Sequence, residues 1–473
     1  MFNEYDSDFI NFADLMIFAY PIFLLKSDTS AVDEILPKNT TQVSKEHNEI
    51  AQNGEDVNSD DADFLDMNEV PQRYDMAQLW RIFNISDGVR YALPIAETLE
   101  NKFGGVIWKQ NSKFMDISID KPHLKAARSF LNTHHLSTEV LNTNIQTLID
   151  NEQLLGVQAT QSEAGSRSKK ATRSGIHWKD YHDLEVIYSF MREIRGKYPN
   201  ICRLYTIGQT AEGRDLKVMR ISENPRDYKK IWIDGGIHAR EWISPATVTY
   251  ILYKLMTNWE NQPNYIKQKT WYIMPVMNPD GYIYSRKFNR LWRKNRAPSS
   301  RANCFGVDLN RNFDIGWSGF GSSTNPCSDT FRGSAPASEL ETQAVVKFLS
   351  KRRNNLEAYL TFHSYGQMVV YPWAYKAAKV KDSAALQRVA NTAVQRIEQL
   401  TGTIYRAAVT HELLGIAGGG SDDWSCAALD IKHVYTIELR DRGQYGFVLP
   451  PDQILGTARE GLTIVETVAQ AII

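Results

Sequence analysis

The chain has 473 residues, longer than one typical domain, so more than one folding unit is expected. Hydrophobic residues make up 42% and charged residues 23%, the balance of an ordinary globular protein with enough apolar mass for a large core. A net charge of −1 gives no argument for nucleic acid or an anionic membrane as partner, and without a CxxC pair the four cysteines (Cys202, Cys304, Cys327 and Cys426) exclude a cysteine zinc cluster.

The apolar run at 15–25 (LMIFAYPIFLL) has the length of a signal-peptide core but is too short for an ordinary transmembrane helix. Acidic residues precede it (Glu4, Asp6 and Asp8) where a signal carries positive charge, and Pro21 interrupts it. A degraded secretion signal and a simple buried segment both remain open. Residues 26–72 are polar and acidic, with Asp60, Asp61, Asp63, Asp66 and Glu69 clustered, so disorder is expected over 1–72 apart from the apolar run. From 73 to 153 the pattern is globular. Tyr74, Leu79, Trp80 and Ile82 alternate as in a strand, a helix is predicted near 88–103, strands at 105–110 and 114–119, and a helix near 122–131. Together these make a small α+β unit. Residues 154–175 then form a linker. Its run from Gly165 to Gly175 (GSRSKKATRSG) is small and basic, which suits cleavage by a trypsin-like protease between two globular units.

From 176 to 473 strand and helix signals alternate, as in one large α/β domain. A strand at 230–234 runs into Gly235-Gly236. Ser244-Pro245 is expected to cap a helix reaching about 259, with proline at its first position. A strand at 271–277 ends in the turn Asn278-Pro279-Asp280-Gly281. Ser338 and Glu341 have the spacing of a capping box. A strand at 358–362 leads into His363, another covers 432–439, and a helix at 452–472 closes the chain.

Ligands of α/β sheets gather at the carboxyl ends of strands, and four segments there carry polar residues. His238 and Glu241 lie three apart, so one turn brings both side chains to one side, and imidazole with carboxylate suits zinc. His363, at the end of a strand, is a third candidate ligand. Two histidines and one glutamate leave an open position, as in a catalytic zinc set, where the metal makes a water acidic. Glu438 follows an apolar strand, a costly place for an acid without a task, and could accept a proton from that water or pair with Arg440. The segments 289–294 and 308–312 place arginines where a carboxylate or an oxyanion would be bound. Cys304 and Cys327 flank a Gly- and Ser-rich loop, which suits a disulfide in an oxidising compartment, although the count alone leaves bonded and free thiols both open.

Taken together, HAREW (238–242), LWRKNR (291–296), GVDLNRNFD (306–314), HSYGQ (363–367), SDDW (421–424) and IELRDRGQYGF (437–447) resemble the signatures of the funnelin metallocarboxypeptidases, the pancreatic carboxypeptidase A and B family, in order and at near-family spacing. The resemblance covers 178 to the end; a weaker one, through RYDMAQLWRI (73–82), links 73–153 to the family's pro-region. It implies an α/β fold with an eight-stranded mixed sheet flanked by helices, preceded by an α+β pro-domain with an antiparallel sheet that caps the active-site funnel. It further implies one Zn2+ held by His238, Glu241 and His363, with Asp308 orienting His238 from behind. Glu438 is implied as the general base, Arg293 as the group stabilising the oxyanion, Asn310 and Arg311 as the clamp on the substrate's terminal carboxylate, and Arg240 and Ser364 as neighbouring subsites. Cys304 and Cys327 match the family disulfide, which makes secretion the expectation; Cys202 and Cys426 match nothing. Asp422, at the base of the pocket for the departing side chain, resembles carboxypeptidase B, which removes C-terminal Lys or Arg. The implied partners are peptide or protein C-termini and an activating trypsin-like protease.

The chain departs from the family at one position. By ungapped alignment the family's mobile tyrosine, which closes over substrate and donates a hydrogen bond, is Gly415. Loss of one such contact, of order 1 kcal/mol, predicts weaker binding with activity retained. Gly415 alone motivates a second reading, a zinc-containing fold that binds peptide C-termini without cutting them.

Overall fold

The computed structural model describes residues 70–83, 89–111, 113–164 and 174–472. The apolar run at 15–25, nearly all of the acidic segment and the basic stretch 165–173 lie outside the described residues. No helix among the described residues is long and apolar enough to cross a membrane.

The first part of the described chain is β1 (Gln78–Phe83), α1 (Val89–Phe103), β2 (Val106–Gln110), β3 (Phe114–Ile119), α2 (Leu124–Thr133), β4 (Ser137–Asn142) and α3 (Ile145–Ala164). Its four strands pair antiparallel in the order β2-β3-β1-β4. Trp80, Ile82, Met115, Ile117 and Ile119 point into one apolar core with Leu99 of α1 and Leu131 of α2. The alternation of strand residues sends the neighbouring set, Leu79 with Trp108 and Val106, to the opposite face.

The remainder contains α4 (Leu184–Lys197), β5 (Cys202–Gln209), β6 (Asp215–Ile221), β7 (Lys229–Gly235), α5 (Ile243–Met256), α6 (Asn264–Lys267), β8 (Lys269–Met274), α7 (Pro279–Lys287), α8 (Leu340–Ser350) and β9 (Leu356–His363). It continues with β10 (Met368–Tyr371), α9 (Ser383–Thr401), β11 (Arg406–Val409), α10 (Thr410–Leu414), α11 (Ser421–Leu429), β12 (His433–Glu438) and α12 (Ile454–Ala471). Eight strands form one mixed sheet in the order β11-β10-β12-β9-β7-β8-β6-β5. The central strands β12, β9, β7 and β8 run parallel, and β10, β6 and β5 introduce the antiparallel pairings. A central parallel strand is covered on both faces, so it reads as a continuous apolar run. In β7, Ile231 and Ile233 face the layer of α5, α9 and α12, and Trp232 between them faces α8 and α11.

Several local expectations change. α5 begins at Ile243 and ends at Met256, so Pro245 is its third residue and Ser244 does not cap it. Instead the Ser244 hydroxyl accepts from the Gly236 N–H (2.9 Å) and donates to the Phe362 carbonyl (2.6 Å), tying the end of β7 to the end of β9. The capping box does not form. Glu339 stands at the start of α8, Ser338 donates to its carboxylate (2.7 Å), and Glu341 accepts from Asn295 (3.1 Å). Asn278-Pro279 starts a helix rather than a plain turn, because the Asn278 side chain accepts from the Gly281 N–H at the head of α7. Helix α3 runs to Ala164, well beyond residue 153, where the sequence places the start of a linker.

α3 also explains how the first part of the chain is held. Ile145 and Ile149 join Leu291, Tyr365 and Phe447 in a shared apolar cluster. Glu152, 2% exposed in its side chain, receives two hydrogen bonds from Arg290 at 2.7 and 2.8 Å. Removing one member of a buried pair leaves the other charge without compensation. Glu152→Ala is therefore expected to destabilise the full-length chain by about 3–5 kcal/mol, measured by urea unfolding, whereas loss of an exposed pair such as Arg73 with Asp75 should change it by under about 1 kcal/mol.

Candidate metal centre and substrate cavity

Gly236 follows β7 at φ +64°, and a Cβ there would lie 2.9 Å from Pro245, so only glycine makes this turn without strain. The chain then folds back on itself, with the Glu241 N–H on the His238 carbonyl (3.3 Å). This single turn brings the side chains of His238 and Glu241 together. His363 ends β9 and Glu438 ends the neighbouring β12, and in register the two residues are direct partners.

Four atoms meet at the carboxyl ends of these strands. Nδ1 of His238 lies 2.7 Å from Glu241 Oε1, and Nδ1 of His363 lies 3.2 Å from Glu241 Oε2 and 3.2 Å from Nδ1 of His238. The far ring nitrogens are supported from outside. Nε2 of His238 is 3.3 Å from Asp308, and Nε2 of His363 is 3.2 Å from the Thr361 hydroxyl, which itself donates to Asp234 (2.7 Å). Two imidazole nitrogens and a carboxylate aimed at one point, each ring fixed by an outer partner, are the donor set that zinc takes. Thr361 and Asp234 escaped the sequence reading. The available signal was Thr361 two residues before His363, hence on the same face of the strand.

The electrostatics follow from burial and from these contacts. Burial opposes charge on Glu241, yet His238 and His363 hold its carboxyl below the usual range. His363 is raised to about 9 against the effect of burial, by Glu241 and then Glu438. Burial and then Arg293 lower His238. Asp308 stays ionised despite burial because Arg293, Arg311 and His238 face it. Burial lifts Glu438 to about 7, opposed by His363 and reinforced by Glu241.

The other candidate residues are each held by their own partners. The Arg293 guanidinium donates to Asp308 Oδ2 through Nε (3.0 Å) and Nη2 (2.8 Å), so one carboxylate holds both Arg293 and His238. Arg311 donates to the carbonyls of Gly321 (2.7 Å) and Asn310 (2.9 Å), and the Asn310 side chain accepts from the Ser421 N–H (2.9 Å). The Ser364 N–H donates to Glu241 Oε2 (3.2 Å). Asp422 stands in the first turn of α11 and accepts from the Thr436 hydroxyl (2.9 Å). Cys304 and Cys327 are bonded; Cys202 and Cys426 are free thiols.

A cavity of about 410 Å³ opens beside the centre. Arg240, Arg293 and Arg311 line one side of it, and Glu97, Glu100 and Trp108 of the first part of the chain line the other. Strand β2 closes over it. The Ile107 carbonyl accepts from Arg240 (2.9 Å), and the Lys109 ammonium donates to the Tyr365 carbonyl (3.1 Å). Glu438 is the largest favourable charge facing Lys109, whose pKa burial lowers.

Against known families, residues 187–464 match the zinc carboxypeptidase model, more than half of the chain. The chain belongs to the zinc carboxypeptidase family. Residues 95–152 match the carboxypeptidase activation peptide, so the unit closing over the cavity is the family's pro-region. The family implies one zinc, and His238, Glu241 and His363 are the group among the described residues that fits it. Carboxypeptidase A4 of Mus musculus is 38% identical over 75% of this chain and 84% of its own length. Carboxypeptidase B of Astacus astacus is 39% identical over 62% of this chain and 97% of its own length. The crystal structure of thrombin activatable fibrinolysis inhibitor superposes with a TM-score of 0.73 at 32% identity, covering 84% of this chain and 99% of that one. A-type and B-type relatives thus stand at nearly equal identity.

Because three side chains share the metal, His363→Ala is expected to lose zinc on dialysis that leaves about one ion per unmodified chain. Metal analysis of the two dialysed proteins checks this.

Proposed function

We propose that the chain is the secreted precursor of an exopeptidase that hydrolyses the C-terminal peptide bond and prefers a terminal Lys or Arg. Asp422 carries the preference. Its residue is 5% exposed, its carboxylate takes hydrogen bonds from the Thr436 hydroxyl and the Asp423 N–H, and no described residue forms an ion pair with it. A buried carboxylate in that state favours a cation, which the side chain of a terminal Lys or Arg brings.

When bound, zinc supplies a Lewis acid that polarises a carbonyl and acidifies water. The chain's own residues do the rest. Asn310 and Arg311 hold the substrate's free α-carboxylate, which selects the chain end. Arg293, held by Asp308, stabilises the oxyanion that develops on the scissile carbonyl. Glu438 takes a proton from the attacking water and returns it to the leaving amine. Burial lifts the Glu438 carboxyl above the ordinary carboxylate range, which suits a group that must both accept and release a proton. Arg240 and Ser364 line the adjoining subsites. Arg240 is occupied in the precursor by the Ile107 carbonyl, so the pro-region excludes a peptide from that position until a trypsin-like protease cuts the basic stretch 165–175. The Cys304–Cys327 disulfide supports an oxidising, extracellular destination.

After trypsin treatment, the full-length chain is expected to release C-terminal Arg and Lys from matched acyl dipeptides far faster than Phe or Leu, and a zinc chelator to stop it. Asp422→Leu should lower kcat/KM for terminal Arg about 100-fold, the loss of a charged hydrogen bond worth about 3 kcal/mol. Glu438→Gln should lower kcat by about 100-fold or more with zinc retained. Faster release of Phe or Leu by the unmodified enzyme would remove the assignment of Asp422 and leave the peptidase. No release by a folded, zinc-loaded, cleaved chain would overturn the reading.

A further inference from the structure

On the catalytic side the cavity carries three guanidinium groups, which only donate hydrogen bonds, beside the hydroxyls of Ser322, Ser323, Ser328 and Thr330. Arg240, Arg293 and Arg311 all line it, and a guanidinium accepts nothing. A peptide entering it brings N–H donors as well as carbonyls. The carboxylate on that wall, Asp329, is already bound to Arg240 (2.9 Å). One further wall is built by His411, Leu414, Gly415, Ile416 and Ala417. Gly415, at φ +84°, presents no side chain, and a Cβ there would meet only the Asn111 Cα of the pro-region at 3.9 Å. His411 is therefore the polar side chain of this wall. Its neighbour Glu412 turns to Lys379 (3.5 Å) instead.

The His411 ring is oriented by the chain itself. Its Nδ1 lies 3.0 Å from the Trp373 carbonyl, and its backbone N–H donates to the same oxygen (3.3 Å). A ring nitrogen facing a carbonyl at that distance carries the proton, so in the neutral imidazole Nε2 is left with a lone pair. No hydrogen bond to a described residue engages Nε2. We infer that His411 is a further substrate-positioning residue, its Nε2 accepting a hydrogen bond from an N–H of the departing C-terminal residue. This rests on the peptidase reading above. The N–H belongs either to the scissile amide or to the cationic side chain of that residue.

Two amide substitutions separate the ring's two nitrogens. Asparagine places its amide where Nδ1 stands and keeps the Trp373 contact; glutamine reaches where Nε2 stands. In the full-length chain, activated by trypsin and zinc-loaded, His411→Asn and His411→Ala are expected to raise KM for an acyl dipeptide ending in Arg about tenfold, with kcat nearly unchanged. His411→Gln should restore KM to within about threefold. An ester isostere ending in Arg, and a dipeptide ending in Leu, identify the donor. A KM rise that survives in the ester assigns the side chain, and one that survives in the Leu dipeptide assigns the amide. His411→Asn with unmodified kinetics would overturn the inference, as would an equal KM rise on an ester ending in Leu. So would a defect confined to kcat, or one that only follows a lowered unfolding temperature. An unmodified enzyme inactive on every substrate would instead refute the peptidase reading.

Discussion

Two imidazole nitrogens 3.2 Å apart, with a buried carboxylate against both, are the point on which the catalytic fold converges. The backbone imposes this convergence. Much of the catalytic fold serves that imposition. Parallel strands β7, β9 and β12 deliver His238, His363 and Glu438 to one edge of the sheet. The Ser244 hydroxyl ties the turn after β7 to the end of β9, and Asp308 and Thr361 fix the outer faces of the two rings. A zinc ion would take all three donors, so assembling them and binding the metal are linked.

The pro-region uses the same edge. Its β2 does not merely stand over the opening. The Ile107 carbonyl takes an Arg240 donor, and Lys109 brings a half-buried positive charge toward Glu438. These contacts are polar and replaceable by a peptide. The hold itself lies farther out, in the Glu152–Arg290 pair and the apolar cluster of Ile145, Ile149, Leu291 and Phe447. The outer hold and the contacts over the cavity are thus carried by different residues.

The metal centre was legible because its residues keep fixed positions relative to strand ends, and a strand end can be read from an apolar run followed by glycine or polar residues. The alternation in β1 and the apolar run of β9 belong to the same readable class. What stayed hidden depends on tertiary partners. Ser244-Pro245 has the form of a helix start, but the hydroxyl is taken by Gly236 and Phe362, so the helix begins before it. Ser338 and Glu341 have capping-box spacing, but Glu339 and Asn295 compete for their side chains. The docking of α3 could not be read because Ile145 and Ile149 meet Leu291 and Phe447, far away in sequence.

Gly415 illustrates how an absence reshapes a site. With no side chain there, the wall built by residues 411 and 414–417 is apolar except for His411, and the backbone adopts a conformation that a side chain would strain. The loop is also where the pro-region comes near, through Asn111. A glycine at this point therefore has two consequences. It removes a group that could reach over the substrate, and it lets the pro-region approach the loop without displacing one. Neither touches the metal ligands, Glu438 or Arg293.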